Sequence, residues 1–299
     1  MLSILIPTHN YDVTALVKQL HEQISKTAIK HEIIVYDNGS IAETVEKNKK
    51  INTLKNVELI LSEKNIGISV AREFLSEKAK YDWILLLDAD TQLKYENYIL
   101  NYTNYLNTEQ EVVFGGFAYE NKKPDKNESL RWKYGMKHEN VSAKKRNKNP
   151  YKITIAGNLL IKKEIYQSFN LHYIGDAYGM DLYLGPQLKK NKVSVLHIDN
   201  EVYHLGLENN EKYLRKVEIA IVTLLKLYKR NFIDKHENDL LFTYEKLKQT
   251  KLNYLFSLFY TILKHPIKLN LLSGNPSIKL LQLYKIFYLC HYDLIIKNY

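Results

Sequence analysis

The residues best suited to chemistry are Asp88 and Asp90, two carboxylates spaced i, i+2 directly after the apolar run Trp83-Ile84-Leu85-Leu86-Leu87. An apolar run of that length predicts a strand buried on both faces, as in a parallel sheet. Carboxylates at such a strand end are costly to bury without a cation or polar partners. Their hard oxygens suit Mg²⁺ or Mn²⁺, ions that commonly hold substrate phosphates as well. A solvated acidic turn is the plain alternative, and the surrounding segments decide between the two.

Those segments supply the elements that must position the pair. Leu2–Ile6, Ile33–Tyr36, Val57–Leu61 and Trp83–Leu87 have strand patterns, while Val13–Ser25, Ile41–Lys50 and Ile68–Lys78 have helical ones. Alternation of this kind predicts βαβ units and a mostly parallel α/β sheet flanked by helices. Ligands of open parallel sheets bind beyond the carboxyl ends of the strands. The polar segments Pro7-Thr8-His9-Asn10, Asp37-Asn38-Gly39-Ser40, Asn65-Ile66-Gly67 and Asp88-Ala89-Asp90 all fall at such ends. Residues 121–150 form a lysine-rich stretch, expected as a long mobile loop or a helix-loop excursion. Thr154–Lys162 and Val193–His197 are expected as returning strands, and helical periodicity runs from about residue 211 to the end, with breaks near Pro266 and Gly274–Pro276.

In order and combination these motifs resemble the family 2 glycosyltransferases, which have the GT-A fold and use nucleotide-sugar donors. The resemblance covers about residues 2–230. It implies that Pro7, Thr8 and Asn10 belong to the nucleotide loop and that Asp37 contacts the base. It further implies that Asn65, Gly67, Arg72 and Asp88 complete the nucleotide-sugar site. Asp90, Asp88 and His204 would be the metal ligands. Independently, Gly67 permits close backbone approach at a helix N-terminus that favours anions. Arg72 is placed to reach a diphosphate or to brace Asp88, and an ordinary surface arginine stays open. His204 opens a segment, His204-Leu205-Gly206-Leu207-Glu208, that is similar to the family's closing motif. A backbone-bonded histidine is the alternative there.

The departure lies in Tyr178-Gly179-Met180-Asp181-Leu182-Tyr183-Leu184-Gly185, which stands where the family carries Gly-x-Glu-Asp. Asp181 matches the expected general base, Met180 replaces the acid before it, and Asp176 is a rival base. Trp132 and Tyr134 either stack on an acceptor sugar or anchor their own loop.

Composition bounds the remaining possibilities. The chain has 299 residues, is 45% hydrophobic and 25% charged, and carries a single cysteine. Cys290 excludes a disulfide framework and a cysteine-rich zinc site and fits a reducing cytoplasm. The first residues look like a strand rather than a signal peptide, and no run of about 18 apolar residues exists. The net charge of +10 is uneven: residues 122–152 hold 11 Lys/Arg against 3 Asp/Glu, and residues 246–299 hold 8 Lys against Asp293. Such zones favour anionic partners, yet no nucleic-acid-binding motif accompanies them.

The resulting expectation is a GT-A domain over 1–210 and a helical extension over 211–299. It would be an inverting glycosyltransferase using Mn²⁺ or Mg²⁺ and a nucleotide diphosphate donor, UDP-linked by preference. A glycan or lipid-linked acceptor in cell-surface polysaccharide synthesis is implied by the resemblance. The basic helix Ile278–Cys290 is expected either to lie on an anionic membrane from the cytoplasmic side, or to pack on the core or form a homodimer contact. A catalytically impaired nucleotide-sugar binder and a non-enzymatic basic membrane- or nucleic-acid-binding protein are the rival readings.

Overall fold

The computed structural model describes residues 1–169, 178–179 and 181–296. Its main sheet contains β1 (Leu2–Thr8), β2 (His31–Asp37), β3 (Val57–Leu61), β4 (Trp83–Leu87), β6 (Val112–Phe114), β8 (Asn158–Lys162) and β9 (Val195–His197). They lie side by side in the order β3-β2-β1-β4-β8-β6-β9. Only β8 runs against its neighbours, pairing antiparallel with both β4 and β6. A smaller sheet places β10 (Val202–His204) between β5 (Thr91–Leu93) and β7 (Phe117–Ala118).

The central strands are mostly apolar because both of their faces are covered. Every residue of β1 and of β4 is buried. The helices Thr14–Ser25 and Ile68–Lys78 present Leu16, Val17, Leu20 and Ile24, and Ala71 and Leu75, as their buried residues. Parallel strands require crossover helices, and these supply them. The Val57–Leu61 and Trp83–Leu87 strands match the sequence expectation residue for residue. The two returning strands are shorter than expected, starting at Asn158 and Val195. Strands of two or three residues, such as β5, β7 and β10, are too short to leave a period in the sequence.

The chain forms two compact units. One comprises residues 1–118, 140–176 and 187–206; the other comprises 119–139, 177–186 and 207–299. The second is helical, built on Ser129–His138, Asn210–Lys229, Asp239–Gln249, Leu252–Leu271 and Ile278–Ile296. The 121–150 stretch is thus a helix-loop excursion, with helices at Ser129–His138 and Ala143–Arg146. Trp132 anchors it by donating its indole N–H to the Glu120 carbonyl at 2.9 Å. Tyr134 packs against Tyr213, with ring centroids 5.9 Å apart.

The last two helices form the most extensive packing in this unit. Leu281, Tyr284, Ile286, Phe287, Leu289 and Cys290 are all buried. Lys285 of the last helix lies with its ammonium 4.4 Å from the Tyr134 ring centroid. Burial pushes its pKa down to about 8. The C-terminal helix is therefore a core helix rather than a one-faced amphipath, since a helix apolar nearly all round belongs inside a core. Among the described residues, no helix is long and apolar enough to cross a membrane.

Candidate active site

β2, β1 and β4 are neighbours in the sheet, so their carboxyl ends deliver three polar segments to one edge. Asn38 ties them together. Its backbone N–H donates to the Thr8 carbonyl at 2.8 Å, and its side chain donates to Asn65 Oδ1 at 3.0 Å. The Ile66 N–H in turn donates to Asn38 Oδ1 at 2.8 Å. Asn10 adopts φ 53° and accepts from the Ile41 N–H at 2.8 Å, while its own N–H donates to Ser40 Oγ at 2.7 Å. The result is a cavity of about 130 Å³ lined by Pro7, Thr8, His9, Asn38, Asn65 and Ile68.

Asp37, the last residue of β2, is buried beside this cavity's walls. Its Oδ1 accepts the Ser40 N–H at 2.8 Å, whereas its Oδ2 is buried with no hydrogen-bond partner among the described residues. An unsatisfied buried acceptor costs about 1–3 kcal/mol, and Asp37 Oδ2 carries this unused accepting capacity. Gly67 has φ 84° and opens the helix Ile68–Lys78, a backbone shape that a Cβ would strain.

One turn into that helix, the buried Arg72 donates to Asp88 Oδ1 at 2.5 Å. Of the two roles open to Arg72, bracing Asp88 is the one that the geometry displays. Asp88 is further fixed through its backbone, donating its N–H to the Gly157 carbonyl at 3.0 Å. The Thr91 hydroxyl donates to the Asp88 carbonyl at 2.7 Å. Asp90 accepts the Leu205 N–H on its carbonyl at 2.8 Å, which locks the Asp88–Asp90 turn to the chain after β10. That lock brings His204 Nε2 to 3.7 Å from Asp90 Oδ2. Burial raises the pKa of nearby Tyr11, and the Asp90 charge raises it further.

Two glycines make this closeness sterically feasible. A Cβ on Gly206 would stand 1.7 Å from Asp90 Oδ2, and one on Gly157 would stand 2.0 Å from Asp88 Oδ2. Gly157 carries no motif in the sequence, so its role emerges only when β8 lies antiparallel beside β4. Asn158 is likewise silent in sequence. It accepts from the Tyr98 and Tyr102 hydroxyls, each at 2.7 Å, and donates to the Gly116 carbonyl at 2.8 Å.

Two carboxylates and an imidazole are a fitting donor set for Mn²⁺ or Mg²⁺. Among the described residues no group of three or more His, Cys, Asp and Glu converges on a metal position. Asp90 and His204 form the convergent pair, and an ion there would draw its other ligands from phosphate oxygens and water.

A family model described as Glycosyl transferase family 2 matches residues 3–169, more than half of the chain. The chain belongs to this family. Among solved structures, the family member is similar over 99% of its length to the mannosyltransferase PcManGT from Pyrobaculum calidifontis, in complex with GDP-Man and Mn²⁺. The TM-score is 0.56 at 12% identity, and 87% of that chain is covered. S. aureus TarS 1-349 in complex with UDP gives a TM-score of 0.53 at 15% identity, covering 100% of this chain and 92% of that one. Mannosyl-3-phosphoglycerate synthase from Rubrobacter xylanophilus gives 0.52 at 12% identity, covering 78% and 76%. At these identities the likeness is one of fold, and the fold is GT-A. Comparison with curated proteins gives no match.

Asp181 is the first residue of the helix Asp181–Lys190 and belongs to the helical unit. Its approach is set by Gly179, whose φ is 98° and whose Cβ would meet Ala220 Cα at 3.0 Å. Tyr178 is held there as well, its carbonyl accepting from Thr223 Oγ1 at 3.0 Å. Asp176 and Met180 lie outside the described residues.

Proposed function

We propose that this glycosyltransferase transfers a sugar from a UDP-linked donor to a glycan or lipid-linked acceptor, with inversion at the anomeric carbon. The observation that carries this reading is the approach of Asp90 and His204 to 3.7 Å at the carboxyl edge of a family 2 sheet. The buried, unpaired Asp37 Oδ2 supports base recognition, because it can accept an N–H from uracil. Pro7, Thr8, Asn10, Asn65 and Gly67 would surround the nucleoside and diphosphate, and Arg72 would hold Asp88 toward the ribose. Asp90 and His204 would hold Mn²⁺ or Mg²⁺, with Asp88 on the ribose or the ion, and the ion would neutralise charge on the departing diphosphate.

In the reaction, the acceptor oxygen attacks the anomeric carbon and the carbon–diphosphate bond breaks, its electron pair leaving on the nucleotide. The Asp181 carboxylate takes the acceptor's proton as the new bond forms. Residues 1–210 would act as the catalytic domain and 211–299 as its helical extension. Assembly of surface polysaccharide on the cytoplasmic side is the setting this chemistry fits. The PcManGT complex with GDP-Man and the TarS complex with UDP-GlcNAc define the two donors to compare first.

The test is a panel of nucleotide sugars read by thermal shift and by donor turnover, with and without Mn²⁺. UDP-sugars are expected to raise the melting temperature more with Mn²⁺ than without. Asp90→Ala should lower turnover by at least about 10²-fold while keeping the apo melting temperature. Donor hydrolysis or transfer unchanged in Asp181→Ala refutes the base assignment, and stabilisation by GDP-sugars alone refutes the uridine preference.

A further inference from the structure

We propose that the outer face of the Leu252–Leu271 helix docks on an anionic phospholipid surface, lying in the boundary between headgroups and acyl chains. The helix has already met its packing needs. Asn253, Tyr260, Ile267 and Leu271 recur at intervals of seven, seven and four and are its buried residues. Tyr260 packs against Tyr284 and Tyr288 of the C-terminal helix at 5.8 and 5.5 Å between ring centroids.

The opposite side of an ordinary surface helix is polar. Here Leu255, Leu258, Ile262 and Leu269 follow one another at intervals of three, four and seven, which aligns them on one face. Leu258 is 53% exposed, Ile262 61% and Leu269 61%, and Tyr254 beside them is 62% exposed. A contiguous apolar stripe open to water marks a binding surface. Twenty residues extend about 30 Å, ample for lying along an interface.

Charge selects the occupant. The helix contains Lys264 and Lys268 and no carboxylate. Residues 246–296 carry seven lysines against Asp293, and that aspartate is fully buried, with its Oδ1 2.5 Å from Lys229 Nζ. Lys285 lies at Tyr134, and Lys248 and Lys268 pair with Glu245 and Glu218, so Lys246, Lys251, Lys264 and Lys279 supply the positive charge that this region presents to solvent. A second copy would bring the same positive charge against it, whereas anionic headgroups complement the lysines and acyl chains take up the leucines. Tyrosine at the stripe's edge suits the wet side of such a boundary.

The test is flotation of the full chain with vesicles of phosphatidylcholine alone and of phosphatidylcholine with phosphatidylglycerol. The expected result is binding to the anionic vesicles only, weakened by high salt. Leu258→Glu/Ile262→Glu should cut the partition coefficient about tenfold or more with the melting temperature unchanged. Lys264→Glu, which leaves the stripe intact, should weaken the same binding. Equal binding to both vesicle types, or unaltered binding by the double variant, overturns the proposal. A dimer that the double variant dissociates, without vesicle binding by the wild type, overturns it in favour of a second copy.

Discussion

At the scale of single residues, the site depends on groups that contribute no chemistry of their own. Gly157 and Gly206 each leave room that a carboxylate oxygen occupies. Gly206→Ala would force Asp90 away from His204, because its Cβ would overlap Asp90 Oδ2 at 1.7 Å. The expected outcome is loss of most Mn²⁺-dependent stabilisation by a UDP-sugar, read by thermal shift, with a far smaller change in the apo melting temperature. Arg72 makes a different demand. It is a buried cation paired to Asp88, and removing one partner of a buried pair leaves the other charge uncompensated. Arg72→Met is therefore expected to cost about 3 kcal/mol in chemical denaturation as well as activity. Asp88→Asn tests the pair from the other side, and a double-mutant cycle on the two isolates their coupling.

At the scale of elements, the turn after β4 is held by Gly157 before β8 and by Leu205 after β10, while β9, at the edge of the main sheet, is held by a support that is sensitive to acid. Arg146 donates to the carbonyls of Gly115 and Ile198 at 3.0 and 2.6 Å, and its Nε–H donates to His197 Nδ1 at 3.2 Å. His197 Nε2 lies 2.8 Å from the Pro150 carbonyl, so the neutral ring donates there and accepts from Arg146. Its pKa is pushed down from 6.5 to about 4, chiefly by burial; the Pro150 carbonyl opposes this and the Arg146 cation adds to it. Between those two values the unfolded chain binds a proton that the folded chain refuses. Stability is retained above about pH 6.5 and falls as pH drops toward 4. The melting temperature of the wild type should decline across that window, and His197→Gln should flatten the decline. On the helical side, Gly179→Ala places a Cβ against Ala220 in a left-handed backbone. If Asp181 acts as the base, this variant lowers kcat while leaving KM for the donor near the wild-type value.

Much of the element level was legible because long, fully apolar or strictly periodic segments leave a clear trace. β4, the crossover helices Thr14–Ser25 and Ile68–Lys78 and the helical C-terminal third all announce themselves in that way. The carboxylates after β4 and Asp37 stood out in the sequence because a carboxylate at the end of a buried strand is costly without a cation or polar partners. Gly157, Asn158 and the Arg146–His197 support were not, since their partners lie 30 to 70 residues away and depend on β8 running antiparallel. The position of Lys285 escaped for a related reason. Lys285 follows Leu281 by four residues and so shares its helical face, where the ring of Tyr134, from a separate segment, receives its ammonium.

At the scale of the whole molecule, charge and chain path divide along similar lines. The α/β unit holds most of the residues matched by the family, although 119–139 of that match lie in the helical unit, which also carries the basic C-terminal stretch. The helical unit draws on three stretches of chain, 119–139, 177–186 and 207–299. A truncation after residue 210 therefore removes partners of Ser129–His138 such as Tyr213, whose ring centroid lies 5.9 Å from that of Tyr134. Truncated chain is expected to expose Leu130 and lose solubility, as measured by light scattering, rather than behave as a tidy catalytic fragment.

The two tryptophans fall one in each unit. Trp83 opens β4, buried, with its indole N–H on the Leu106 carbonyl at 3.0 Å, while Trp132 is half-buried on the excursion helix. Nature has thus installed a pair of fluorescent reporters, distinguishable by emission wavelength because one is dry and the other partly wet. Trp132→Phe leaves a probe five residues from Asp88, and Trp83→Phe leaves one in the unit that carries the lipid-facing helix. Donor titration and vesicle titration can then be followed separately in the same protein by colour alone.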